Sequence, residues 1–181
     1  RLSALPDTDT ALAAAIGAAP VVLGFVPSNN ATGTDPSLKV PAASLHNANT
    51  GTLLSFPVAT NALQKLQDAA SGYGSFPVIS RGTTTVRQLP LFVSINKNVY
   101  PSLTAEALRV HADSDHYALS FHGPLPWLPG TTWLNNTKVT IGSLNIATDS
   151  ATRFWPYFRW DNPFQHISAW KILAGKIDEK R

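Results

Sequence analysis

The chain predicts a mixed α/β (α+β) fold: a mixed sheet with hairpin-linked strands and several packing helices. Three observations predict it. Apolar residues recur at helical spacing in four segments. Short runs rich in Val, Ile, Phe and Thr stand between them, bounded by Gly, Pro and Asn. Several of those runs follow one another across a turn alone, which a purely parallel doubly wound sheet would not need. With 181 residues, 44% of them hydrophobic, the chain can bury the core of one domain covering 1–181.

Asp7 and Asp9 precede a helix over 11–18, with Leu12, Ala15, Ile16 and Ala19 on one face. Carboxylates at that end accept from unsatisfied N–H groups and suit the helix dipole. Pro20 stops the helix, and the apolar run 21–26 reads as a buried strand. Residues 27–60 read as one long polar loop, the kind that in compact domains is functional or mobile. Asn61 caps a helix over 62–70 that presents Leu63, Leu66, Ala69 and Ala70, and Gly72 terminates it. Strands at 76–80 and 85–95 flank the turn Arg81-Gly82-Thr83-Thr84. Pro90 cannot donate to a ladder, so it belongs at an edge or a bulge. Asn96-Lys97-Asn98 is a turn.

Pro101 opens a helix to Val110, with Leu103, Ala107, Leu108 and Val110 buried and Glu106 on the outer face. Strands follow at 117–121, 138–141, 144–147 and 153–159, with a Pro- and Trp-rich loop at 123–136. Ser168 caps a last helix over 169–173, closed by Gly175.

Composition removes several function classes. Charged residues are 14% of the chain, against roughly 25% for an average soluble domain. The surface is therefore rich in Ser, Thr and Asn, a leaning toward compartments outside the cytoplasm. The net charge is +3, but Arg81, Arg87, Lys97, Arg109, Lys138, Arg153 and Arg159 stand singly. Nucleic-acid binding needs such charges clustered, so no nucleic-acid partner is expected. Lys171, Lys176, Lys180 and Arg181 do gather, as a solvated helix end or a surface for anionic headgroups. The absence of Cys excludes disulfides, cysteine nucleophiles and thiolate metal sites. No apolar run approaches the roughly 20 residues of a membrane span. The chain also lacks Met and starts Arg1-Leu2-Ser3, so it reads as a segment of a longer protein.

The candidate sites are few. His111, Asp113, Asp115, His116 and His122 form the one His/Asp cluster, but His116 and His122 on a strand would stand roughly 20 Å apart. Asp113-Ser114-Asp115 lacks the glycine and closing glutamate of a calcium loop. Neither a metal nor a cofactor is expected. Gly72-Tyr73-Gly74 follows a helix and precedes a strand, the reverse of a dinucleotide fingerprint, and reads as a helix stop. No nucleophile elbow appears, and only Glu106 and Glu179 are glutamates, so no catalytic residue is assigned.

The segment 153–160 carries the best surface candidate. Strand alternation puts Arg153, Trp155, Tyr157 and Arg159 on one face, with Phe154, Pro156, Phe158 and Trp160 toward the core. The exposed row suits an anionic or aromatic ligand, a dimer face, or arginine stems covering aromatic surface. Arg87 is a further ligand or interface candidate. Trp127 and Trp133 are added as contributors to a pocket or interface.

Several blocks together resemble a known family. They are Pro20-Val21-Val22-Leu23-Gly24 after its helix, the helix ending in Gly72-Tyr73-Gly74, and Val86-Arg87-Gln88-Leu89-Pro90-Leu91. Tyr100-Pro101-Ser102-Leu103 with Glu106-Ala107-Leu108, Ile141-Gly142-Ser143-Leu144 with Ile146-Ala147-Thr148-Asp149, and Ile167-Ser168-Ala169 with Ile172 to Ile177 complete the set. In that order they resemble CHASE2 domains, the extracytoplasmic input modules of bacterial membrane-bound signalling proteins. Two departures stand out. Arg81-Gly82 occupies the place of an acidic Asp-Gly turn, and the family's first strand–helix–strand unit has no counterpart. The resemblance implies a non-catalytic sensor, membrane-anchored through flanking helices outside this chain. Its effector would be a nucleotide cyclase, a histidine kinase, a Ser/Thr kinase or a cyclic-dinucleotide enzyme. Its partners would be a small-molecule or protein signal and a second copy in a homodimer. A periplasmic solute-binding carrier without an effector is the alternative.

Overall fold

The computed structural model describes residues 7–30, 33–37, 39, 44–46, 50–77, 88–122, 136–157 and 168–175. They form the mixed α+β fold that the sequence predicts. The hairpin turn at 81–84, the loop at 123–135 and the positions Arg87, Arg159, Trp127 and Trp133 lie outside the described residues.

Helix α1 (Thr8–Gly17) starts where the acidic pair places it. The Asp7 side chain accepts from the N–H groups of Asp9 and Thr10 at 3.1 and 3.2 Å. Lys65 Nζ, 2.7 Å away, and the Thr10 donors hold the Asp7 carboxyl well below the usual carboxylate range. The buried face differs from the expected one: Ala13 and Ile16 are buried and Leu12 is exposed. A Cβ on Gly17 would lie 3.8 Å from the Ala69 carbonyl of helix α2 (Gln64–Ala69).

Strand β1 (Val22–Ser28) pairs parallel with β5 (Gly72–Ser75), Val22 opposite Gly72 and Phe25 opposite Ser75. Its far end pairs antiparallel with β4 (Val58–Thr60). The expected loop over 27–60 therefore holds real structure. Besides β4 it contains β2 (Ser44–His46), β3 (Leu54–Phe56) and a 3-10 turn at Thr50–Thr52. These strands are only three residues long. Their hydrogen-bonding partners lie far along the chain, so local periodicity carries no trace of them.

Asn61 does not cap α2. It is drawn away to Thr34, and Leu63 stands at the N-cap without a side-chain bond. Nor does Gly72 terminate that helix. Ala70 already adopts extended backbone, and the Gly-x-Gly enters β5 without positive φ.

The centre of the molecule is the hairpin of β7 (Phe92–Ile95) and β8 (Asn98–Pro101). Asn96 and Lys97 make its turn at φ of 48° and 68°, the left-handed pair that matches the twist of a two-residue hairpin. Strand β3 pairs parallel on the other side of β7. Side chains alternate across this hairpin. Phe92 and Val99 enter one core with Leu91, Tyr117, Leu119, Val139 and Ile141. Val93, Ile95 and Tyr100 enter a second core with Phe25, Ala59 and Tyr73. Edge-on ring contacts of Phe92 with Tyr117, at 5.2 Å, and Phe25 with Tyr100, at 5.9 Å, consolidate the two cores.

Ser102, not Pro101, caps helix α3 (Leu103–His111), accepting from the Ala105 N–H at 3.2 Å. Beyond it, β9 (Tyr117–His122), β10 (Asn136–Ile141) and β11 (Leu144–Asp149) form an antiparallel meander, with β2 parallel on the outer side of β9. Strand β12 (Arg153–Phe154) pairs with β6 (Leu89–Pro90), which has no second strand neighbour among the described residues, so within them Pro90 sits at an edge. The last helix, α4 (Ala169–Leu173), closes at Gly175 with φ +62°, although Ser168 makes no side-chain cap bond. No described helix is long and apolar enough to cross a membrane.

Candidate functional site

The corner at 149–157 presents the sequence's main candidates. Asp149 Oδ1 accepts from the N–H groups of Ala151 and Arg153, each at 2.9 Å. Its Oδ2 takes the Arg153 guanidinium at 2.7–2.8 Å. Between them Thr152, fully buried at φ +57°, bonds Phe92 through its hydroxyl, and its carbonyl accepts from the Leu91 N–H at 2.9 Å. The corner is thus stitched to the central hairpin, and the Arg153 charge is already matched.

The expected strand over 153–159 ends after Phe154. Among the described residues only β6, two residues long, lies beside it. Phe154 packs against the core as alternation requires. Trp155 and Tyr157 follow in non-strand backbone, 53% and 97% exposed. The structure therefore brings Arg153 and the two aromatic residues to one corner without forming a four-residue row. Arg159 and Arg87 fall outside the described residues.

A second centre was misplaced by the sequence reading. Glu106 is not on the outer face of α3: it is 2% exposed. Its Oε1 accepts from Arg109 Nη2 at 2.9 Å and from the Tyr73 N–H at 3.2 Å. Its Oε2 accepts from Arg109 Nε at 3.2 Å and from the Tyr117 hydroxyl in a short bond. Arg109 in turn donates to the carbonyls of Ser114 and Ser71, both at 2.9 Å. The bond to Glu106 raises the Arg109 pKa above its ordinary value. Burial first, and the Glu106 carboxylate second, push the Tyr117 hydroxyl far up.

Two glycines make room for this cluster. A Cβ on Gly72 would stand 2.7 Å from Glu106 Cγ. One on Gly74 would stand 2.7 Å from the Leu103 backbone. The Gly-x-Gly is therefore a close-approach strand that seats α3, and the buried carboxylate is a brace. Glycines two apart, with Glu and Arg three apart on the next helix, were the signal available for it.

The His/Asp cluster stays at the surface. His116 Nδ1 meets Asp115 Oδ1 at 2.5 Å, and both side chains are exposed. Asp113 turns at φ 48°. No three His, Cys, Asp or Glu side chains converge to hold a metal among the described residues. Against known proteins, no family model, no curated protein and no solved structure matches this chain.

Proposed function

We propose that this chain is the sensory input domain of a membrane-bound signalling protein of the CHASE2 type. It would lie outside the cytoplasm and lack chemistry of its own. The observation that favours this is the packing of the blocks carrying the resemblance. The strand at Val22–Ser28 runs parallel to Gly72–Ser75, α3 lies on the latter, and the Tyr100 strand end leads into α3 through the Ser102 cap. These separated blocks thus meet in one structural unit, as parts of a single inherited module do. Under this reading Trp155 and Tyr157 offer contact to a ligand or a second copy, in keeping with the aromatic enrichment of interfaces. Helix α4 is the lever toward the membrane helices.

The test uses the full-length protein. Deleting Ala169–Leu173 should leave a folded protein whose effector output no longer follows the signal. Unchanged regulation would overturn the reading. A reading frame without transmembrane helices or an effector would favour the alternative, a periplasmic carrier that binds a solute.

A further inference from the structure

We propose that the cleft between Gly33-Thr34, the end of β4 and α2 binds a small uncharged molecule carrying hydroxyl or amide groups. The cleft holds about 520 Å³, within the size range of small-molecule sites. Thr34, Thr60, Asn61 and Gln64 line it together with the deeper Gln67.

Its wall is held in advance. Thr34 and Ala59 exchange backbone hydrogen bonds at 3.1 and 3.3 Å. A Cβ on Gly33 would lie 2.6 Å from the Ala59 carbonyl, so only glycine lets the chain approach β4 this closely. Asn61 Nδ2 donates to the Thr34 carbonyl and hydroxyl oxygens at 3.0 and 2.9 Å. Asn61 Oδ1 accepts from the Tyr73 hydroxyl at 3.3 Å, and that hydroxyl accepts from the Ala62 N–H at 2.9 Å. Tyr73 is a core residue, so the wall is anchored to the interior.

Two unmet groups then define the occupant. Gln67 is 4% exposed, and its Nε2 donates to the Ala62 carbonyl at 2.7 Å. That bond fixes the orientation of the amide, because turning it over would set two oxygens against each other. Its Oε1 is left buried with no partner. A buried acceptor without a donor is costly and rare. The other two such atoms among the described residues, Ser75 Oγ and Thr137 Oγ1, do not belong to residues lining the cleft. Thr34 Oγ1 already accepts from Asn61, which leaves its proton to donate.

A hydroxyl or amide supplies both the donor that Gln67 needs and an acceptor for Thr34. It engages Gln67 after a local side-chain shift, because Oε1 is shielded. No described lining residue is charged, so an ion would be desolvated there without a counter-charge.

The site does not depend on the sensor reading. Binding without regulation would leave the site standing and remove the sensor; regulation without binding here would do the reverse. The experiment is an NMR titration of the isotope-labelled chain with glucose, N-acetylglucosamine and acetamide, with phosphate and glutamate as charged comparators. At least one neutral probe should give saturable shifts confined to residues 33–34 and 59–67, including the Gln67 side-chain amide. Gln67→Leu should weaken that binding about tenfold, the worth of one such bond. Thr60→Trp should abolish it by filling the mouth from an exposed position, without touching the buried groups. Three outcomes would each overturn the site: no saturation by any neutral probe, saturation of the same amides by a charged comparator, or undiminished binding in both variants.

Discussion

Glu106 and Gln67 are buried to nearly the same depth, 2% and 4% exposed, and the protein treats them in opposite ways. Around Glu106 both carboxylate oxygens are taken, and the partner arginine is itself bonded to two carbonyls. Around Gln67 one atom is bonded and the other is buried without a partner, on a residue that lines a cleft. A buried polar group whose every bond is met specifies a packing arrangement. One with a bond left over, on a residue that lines a cleft, offers that bond to something else. Burial and residue type alone would not have separated the brace from the site; the count of partners together with the neighbouring cleft does.

The largest test of this contrast is Glu106→Ala. It leaves the Arg109 guanidinium, the Tyr117 hydroxyl and the Tyr73 N–H without their acceptor in the interior. Urea unfolding should show a loss of about 3–5 kcal/mol, the range for breaking one side of a buried pair. A loss below about 1 kcal/mol would mean that Glu106 is not a brace.

Gly74→Ala comes next. The new methyl would meet the Leu103 backbone rather than a movable side chain, so α3 must shift. The expected cost is about 1–3 kcal/mol by the same measurement. Gly72→Ala should cost a comparable amount, since the methyl would meet the Glu106 side chain, which its bonds to Arg109, Tyr73 and Tyr117 hold in place.

The brace also sets the alkaline limit. Tyr117, Tyr73 and Tyr100 all have pKa values raised first of all by burial. The native state therefore holds these protons where the unfolded chain, with tyrosines near pKa 10, releases them. Their contribution is fully present below about pH 10 and declines as the pH rises further. Unfolding free energy measured across that range should fall, and fall less steeply in Tyr117→Phe. Equal slopes would remove Tyr117 from this account.

Gln67→Leu is the smallest effect and the sharpest contrast. It deletes one good bond and one orphan acceptor together, so stability should change by less than about 1 kcal/mol. A loss as large as that of Glu106→Ala would show that Gln67 also braces the fold.

Legibility followed the range of the interactions involved. The Asp7 cap, the turn at Asn96-Lys97, the hairpin strands around Gly142-Ser143 and the stop at Gly175 depend on residues a few positions apart. All of them were readable. The strands inside 27–60 were not, because their partners lie far along the chain. The aromatic corner was half readable. Phe154 turned inward as alternation demands, but the strand ended after that residue. The cleft left no sequence signal at all, since Thr34, Asn61 and Gln67 are ordinary polar residues until the fold brings them together.

By itself, then, the sequence determined the fold class, the Asp7 cap and the turns at Asn96-Lys97 and Gly142-Ser143. Those properties follow from local conformational preference and composition. Tertiary structure alone decided that Gly72 and Gly74 seat a helix, that Glu106 faces inward, and that Asn61 forsakes its helix for Thr34. A hydrogen bond is worth making where its partner is near and water is absent, and a linear chain carries neither fact.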